Sequence, residues 1–221
     1  MLNRKLIIIF IFSVISMSVQ SQTTPVKKFL ALGDSYTIGE SVAESERWPV
    51  QLVKALEKKG IKYSVPKIIA TTGWRTDDLA QAAMKANLSD DYDLVSLLIG
   101  VNNQYQGKPA DHQYEAEFQE LLRIAIKAAG GNREHVFVVS IPDYGFTPFG
   151  KAKKDEITKG IDQFNTVNEK ISKQLGIQYI NITDISRKAT EQPDLVAGDG
   201  LHPSGEMYSL WVDRIIEKRK F

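Results

Sequence analysis

Five short apolar runs, at 28–32, 67–71, 94–99, 136–141 and 178–182, alternate with longer segments whose apolar residues recur at helical spacing, at 48–59, 76–87, 114–129, 157–175 and 206–218. That alternation constrains the fold more than any other feature of the chain. A short run rich in Val and Ile suits a strand covered on both faces, and two parallel strands can be joined only through a connection of helix length. The expectation is an α/β fold built on a five-stranded parallel sheet.

Within this frame several helices carry their own signatures. In the third, Phe118, Leu121, Leu122, Ala125 and Ala128 fall on one face, and Gly130-Gly131 supplies a stop, so it is read as a packing helix. In the second, Thr76 is the expected cap, with Asp77 and Asp78 complementing the positive helix end. The longest irregular stretch runs from Pro142 to about Asp155. Its Tyr144, Phe146 and Phe149, set among Gly and Pro, suit a pocket wall and plain packing equally.

With 221 residues the chain is long enough to bury a core without disulfides or a structural metal, and it has no cysteine. Lys and Arg number 28 against 27 for Asp and Glu, so bulk charge gives no reason to expect a nucleic-acid partner. The basic cluster Lys151, Lys153 and Lys154 runs straight into Asp155 and Glu156 and reads as a solvated face. Residues 1–21 form a separate unit. Arg4 and Lys5 precede an apolar stretch from Leu6 to Val14, interrupted at Ser13, and Val19 and Ser21 fit the small positions before a cut after Ser21. This is the pattern of a secretory signal peptide, and the apolar run falls short of the roughly 20 residues that cross a bilayer. A secreted or periplasmic domain over 22–221, without a stable membrane anchor after cleavage, is expected.

In an open parallel sheet, ligands gather beyond the carboxyl ends of the strands. Ser35 follows the first strand, Gly73 the second and Asn102 the third, and Asp199 and His202 lie on a loop after the fifth. A serine hydroxyl is a weak nucleophile until a base takes its proton. His202 suits that base and Asp199 suits the group that orients it, whereas His112 and His135 sit in polar segments without an acidic partner in a comparable loop. Gly73 permits close backbone approach and Asn102 carries an amide, the kinds of donor an oxyanion needs. Each segment alone also fits a bland role. Asp34 or Ser35 suits a helix cap, Gly73 and Asn102 suit turns, and Asp199-Gly200-Leu201-His202-Pro203 suits a Gly-Pro turn.

Taken together, Gly33-Asp34-Ser35 with Gly39, Gly73, Gly100-Val101-Asn102 and Asp199-Gly200-Leu201-His202 resemble the four ordered blocks of the SGNH subgroup of the GDSL esterase and lipase family. The resemblance spans essentially all of 22–221. It implies a flavodoxin-like three-layer αβα sandwich, no cofactor, and hydrolysis through a covalent acyl-enzyme. No metal is expected, because no histidine and carboxylate grouping beyond Asp199 and His202 has metal-ligand spacing. Ser35 is then the implied nucleophile, His202 the base and Asp199 its orienting residue, with the Ser35 amide, the Gly73 amide and the Asn102 side chain as oxyanion donors. The chain departs from the pattern at Asn103, where the third block commonly has Asp, and at Tyr36, where the motif has Leu. The elbow of α/β-hydrolases is rejected, because Thr37 stands where Gly-x-Ser-x-Gly needs its last glycine.

The expected activity is a serine esterase acting on small-molecule, glycan or lipid esters, with acetyl or short acyl groups on a carbohydrate favoured. A lysophospholipase or thioesterase at the same site, or a non-catalytic ligand-binding protein on this scaffold, are the alternatives.

Overall fold

The computed structural model describes residues 25–221, and within them the sheet has the expected strands: β1 (Phe29–Gly33), β2 (Lys67–Ala70), β3 (Leu94–Leu98), β4 (Val136–Val139) and β5 (Gln178–Ile180). All pairings are parallel, in the order β2-β1-β3-β4-β5. β1, β3 and β4 are buried along their whole length, which is why they read as unbroken apolar runs. The edge strands β2 and β5 are only partly covered and begin on Lys67 and Gln178.

The helices are α1 (Ser35–Ile38), α2 (Trp48–Glu57), α3 (Thr76–Lys85), α4 (Val101–Tyr105), α5 (His112–Ala128), α6 (Lys154–Gln174), α7 (Thr183–Ser186) and α8 (Gly205–Lys218). α2 packs against α8, while α3, α5 and α6 pack in series, giving one helical layer on each face of the sheet. This is the three-layer αβα sandwich. The α5 face of Phe118, Leu121, Leu122, Ala125 and Ala128 is buried as its spacing requires.

Helix ends depart from the sequence reading for local reasons. α5 starts at His112 rather than residue 114 because the Asp111 carboxylate accepts from the amides of Gln113 and Tyr114, at 3.0 and 3.2 Å. Thr76 does not cap α3. It is the first helical residue, and Asp78 instead reaches back to the Arg75 amide at 3.1 Å. The stretch after Pro142 is less irregular than expected: 3₁₀ turns at Tyr144–Phe146 and Lys151–Lys153 lead directly into α6.

Residues 1–21, read as a signal peptide, lie outside the described residues. Among the described residues, no helix is long and apolar enough to cross a membrane.

Candidate active site

The register of the sheet brings the candidate residues together. Gly33 of β1 lies beside Ala70 of β2 and Leu98 of β3, so these three strands end at one level. The segments carrying Ser35, Gly73 and Asn102 leave from that common edge. The strand order reverses between β1 and β3, the point where an open α/β sheet leaves a crevice for a ligand.

Gly33 lets β1 turn sharply into α1. A Cβ there would sit 2.1 Å from Thr37 Oγ1 and 2.6 Å from the Leu98 carbonyl oxygen, too close for any side chain. The capping question at this turn is resolved in favour of Asp34, whose carboxylate accepts from the Tyr36 amide at 3.0 Å. Ser35 is therefore the first helical residue, and its hydroxyl is not spent on the cap.

Asp34 is completely buried and its Oδ2 has no hydrogen-bond partner. Burial pushes its carboxyl up to about 7, against two opposing backbone hydrogen bonds. An unfolded Asp titrates near ~3.9, so folding favours the protonated form. The resulting stabilisation is full below the unfolded value and is lost as pH rises through about 7. Asp34→Asn keeps a capping oxygen and removes the titration. Its thermal midpoint is expected to fall less than that of the wild type between pH ~4 and about 7. Parallel melting curves across that window would refute the assignment.

The loops after β2 and β3 are fastened to each other. Asn102 Nδ2 donates to the Trp74 carbonyl at 2.9 Å, which fixes the amide plane and leaves its second proton for another acceptor. The departure at Asn103 has a structural role. Its Oδ1 accepts from the Thr76 amide at 3.2 Å, and its Nδ2 donates to Thr76 Oγ1 at 2.8 Å, freeing that hydroxyl to donate to the Glu117 carboxylate. An ionised Asp has no proton to give, so it would compete with Glu117 for the Thr76 hydroxyl. Gly73 adopts φ +86°, a left-handed backbone that favours glycine. Among the described residues, neither the Ser35 nor the Gly73 amide donates a hydrogen bond.

Asp199 and His202 form a closed turn. His202 Nδ1 lies 2.6 Å from Asp199 Oδ2, and the amides of Leu201 and His202 both donate to Asp199 Oδ1 at 2.9 Å. Ser41, which the sequence reading does not single out, donates to Asp199 Oδ2 at 2.7 Å. Partial burial raises the Asp199 carboxyl, but the hydrogen bonds from His202, Ser41 and the two amides outweigh it and hold the group well below the usual carboxylate range. A hydrogen bond from Nδ1 to a carboxylate leaves Nε2 as the basic nitrogen of the neutral ring.

Ser35, Gly73, Asn102 and His202 line one cavity of about 310 Å³, together with Tyr36, Thr72, Val101, Tyr105, Tyr144, Phe149 and Leu201. Of the aromatic residues expected at a pocket, Tyr144 and Phe149 are there. Phe146 is not: Lys154 Nζ lies 3.9 Å from its ring centroid and the Arg187 guanidinium 5.9 Å away, so it is engaged on another side of the loop. Tyr105, which the sequence reading passes over, completes a cluster with Tyr144 and Phe149 at centroid separations of 6.1 to 6.3 Å. Tyr36, expected outside the candidate catalytic set, packs its ring against it, with a centroid 5.5 Å from that of His202. His112 is exposed and His135 half-buried.

The profile of the GDSL-like Lipase/Acylhydrolase family matches residues 31–210. The uncharacterised protein YpmR of Bacillus subtilis (strain 168) is 24% identical over 208 residues, covering 86% of this chain and 80% of the relative. Among solved structures, phospholipase A1 from Streptomyces albidoflavus NA297 superposes with a TM-score of 0.69 at 18% identity, over 88% of this chain and 100% of that one. The acetyl xylan esterase AlAXEase gives 0.68 at 18% identity, over 86% and 98%.

Proposed function

Since this chain belongs to the GDSL-like lipase/acylhydrolase family, we propose that it is a serine esterase in which Ser35, Asp199 and His202 carry out the chemistry. The observation that carries this reading is the convergence of Ser35, Gly73, Asn102 and His202 on one cavity, with His202 held through Nδ1 by Asp199.

Ser35 Oγ attacks the acyl carbonyl, forming the Oγ–C bond while its proton passes to His202 Nε2. The carbonyl oxygen becomes an oxyanion, which the Ser35 amide, the Gly73 amide and the second Asn102 proton stabilise. Collapse of this intermediate breaks the bond to the leaving oxygen, which takes the proton from His202. Water, deprotonated by the same nitrogen, then attacks the acyl-enzyme and releases the acid with Ser35 restored. A binding protein needs neither an unspent serine hydroxyl nor an imidazole fixed in one tautomer.

The substrate is a neutral ester with a small acyl group. The cavity walls are Tyr36, Val101, Tyr105, Tyr144, Phe149 and Leu201, with no Asp, Glu, Lys or Arg among the described residues that line it. Its volume of about 310 Å³ is at the low end of small-molecule sites. Tyr105 and Phe149 are 59% and 52% exposed, leaving ring faces at the rim on which a sugar can stack. These features favour an acetyl or short acyl group on a carbohydrate over a long lipid chain or a thioester carrier. The Arg4-Lys5 pair and the apolar stretch after it support export to the periplasm or medium.

The test is a panel of chromogenic esters of increasing acyl length, with labelling by a serine-reactive organophosphonate. Short esters are expected to be hydrolysed fastest, and the label to attach at Ser35. A protein that turns over no ester and takes no label at Ser35 would refute the assignment.

A further inference from the structure

We infer that Ser41 is a positioning residue for the Asp199–His202 pair, an inference that rests on the serine-esterase reading above. Ser41 follows α1 by a few residues and holds φ +66°, one of two non-glycine residues with positive φ among those described. Glycine adopts that backbone without strain, whereas a side chain there persists only when its surroundings hold it. Among the described residues, Ser41 makes one side-chain hydrogen bond, from its hydroxyl to Asp199 Oδ2 at 2.7 Å.

The position of that bond gives it a role. A carboxylate has about four acceptor sites, and Asp199 fills them with His202 Nδ1, the Leu201 and His202 amides and Ser41. Three of these donors, the His202 ring and two amides, belong to the 199–202 turn and fix the carboxylate only within that turn. Among the described residues, Ser41 is the one donor from elsewhere, and it comes from the segment that has just carried Ser35. It thereby ties the turn bearing the base to the turn bearing the nucleophile. Its neighbour Glu40 accepts from the Thr72 hydroxyl, so the same segment also braces the loop that holds Gly73.

The hydroxyl and the backbone shape can be separated by two substitutions. Ser41→Ala removes the donor and keeps the strain, while Ser41→Gly removes the donor and relieves it. On a short-chain chromogenic ester, both are expected to lower kcat about tenfold, the worth of one hydrogen bond to a charged group, with KM unchanged within about twofold. Ser41→Gly should melt above Ser41→Ala despite equal loss of activity. In an Asp199→Ala background neither change should reduce kcat further, because the carboxylate that Ser41 positions is gone. Wild-type kcat in either variant, or the same additional loss in the Asp199→Ala background, would overturn the inference. A wild-type protein that neither hydrolyses esters nor accepts the phosphonate at Ser35 would instead overturn the esterase reading.

Discussion

Ser35→Ala is expected to lower kcat for ester hydrolysis by at least about 10⁴-fold, equivalent to about 5.5 kcal/mol of lost transition-state stabilisation. His202→Ala should fall to a similar level, and the double variant should be scarcely worse than either single one. A nucleophile without its base and a base without its nucleophile both leave only binding and the oxyanion donors. The loss cannot be confused with unfolding. Asp34, not Ser35, caps α1, and Ser35→Ala keeps the Cβ in place at a buried position. Circular dichroism and the thermal midpoint should therefore match those of the wild type. Substantial turnover in Ser35→Ala would place the nucleophile elsewhere.

The parts of this site that sequence exposes are those following from strand order. β1, β3 and β4 lie between two helical layers, so their residues are apolar without alternation, and the polar residue after each run is placed at the carboxyl edge by topology alone. Ser35 after β1 and Asn102 after β3 are legible for that reason, whereas Gly73 and His202 follow the partly covered edge strands β2 and β5 and stand out only as members of the four ordered blocks. Contacts between distant segments leave no such trace. Ser41 and Asp199 are 158 positions apart, and an exposed loop serine carries no pattern that distinguishes it from any other. Phe146 and Phe149 look alike in a Gly- and Pro-rich stretch, and only packing against Lys154 and Arg187 removes the first from the cavity. Helix ends fail on a smaller scale, since Thr76 is a good capping type yet is itself the first helical residue, and Asp78 reaches back from within the first turn to the Arg75 amide.

Asp199→Asn tests whether the carboxylate acts by fixing the imidazole tautomer, and here the geometry dictates the outcome. The Oδ1 position faces the amide protons of Leu201 and His202, both at 2.9 Å, so an asparagine must place its carbonyl oxygen there. Its NH2 then occupies the Oδ2 position, 2.6 Å from His202 Nδ1 in the wild type. Two donors cannot face each other, so Nδ1 becomes the acceptor and the ring proton moves to Nε2. In the proposed mechanism Nε2 takes the Ser35 proton, and in this tautomer it has no lone pair to offer. The Ser41 hydroxyl can turn to accept from the new amide, so the turn itself survives. A loss in kcat of about 10⁴-fold with an intact fold is expected. The wild-type stability advantage should also depend on pH. Asp199 is held below the ordinary carboxylate range, so its contribution is present above the unfolded value near ~3.9 and fades as pH falls through the lower folded one. Kinetics and melting curves of Asp199→Asn measure the two consequences separately. An imidazole that works equally well beside an amide would retain kcat, and the tautomer argument would then fail even with Ser35 and His202 confirmed.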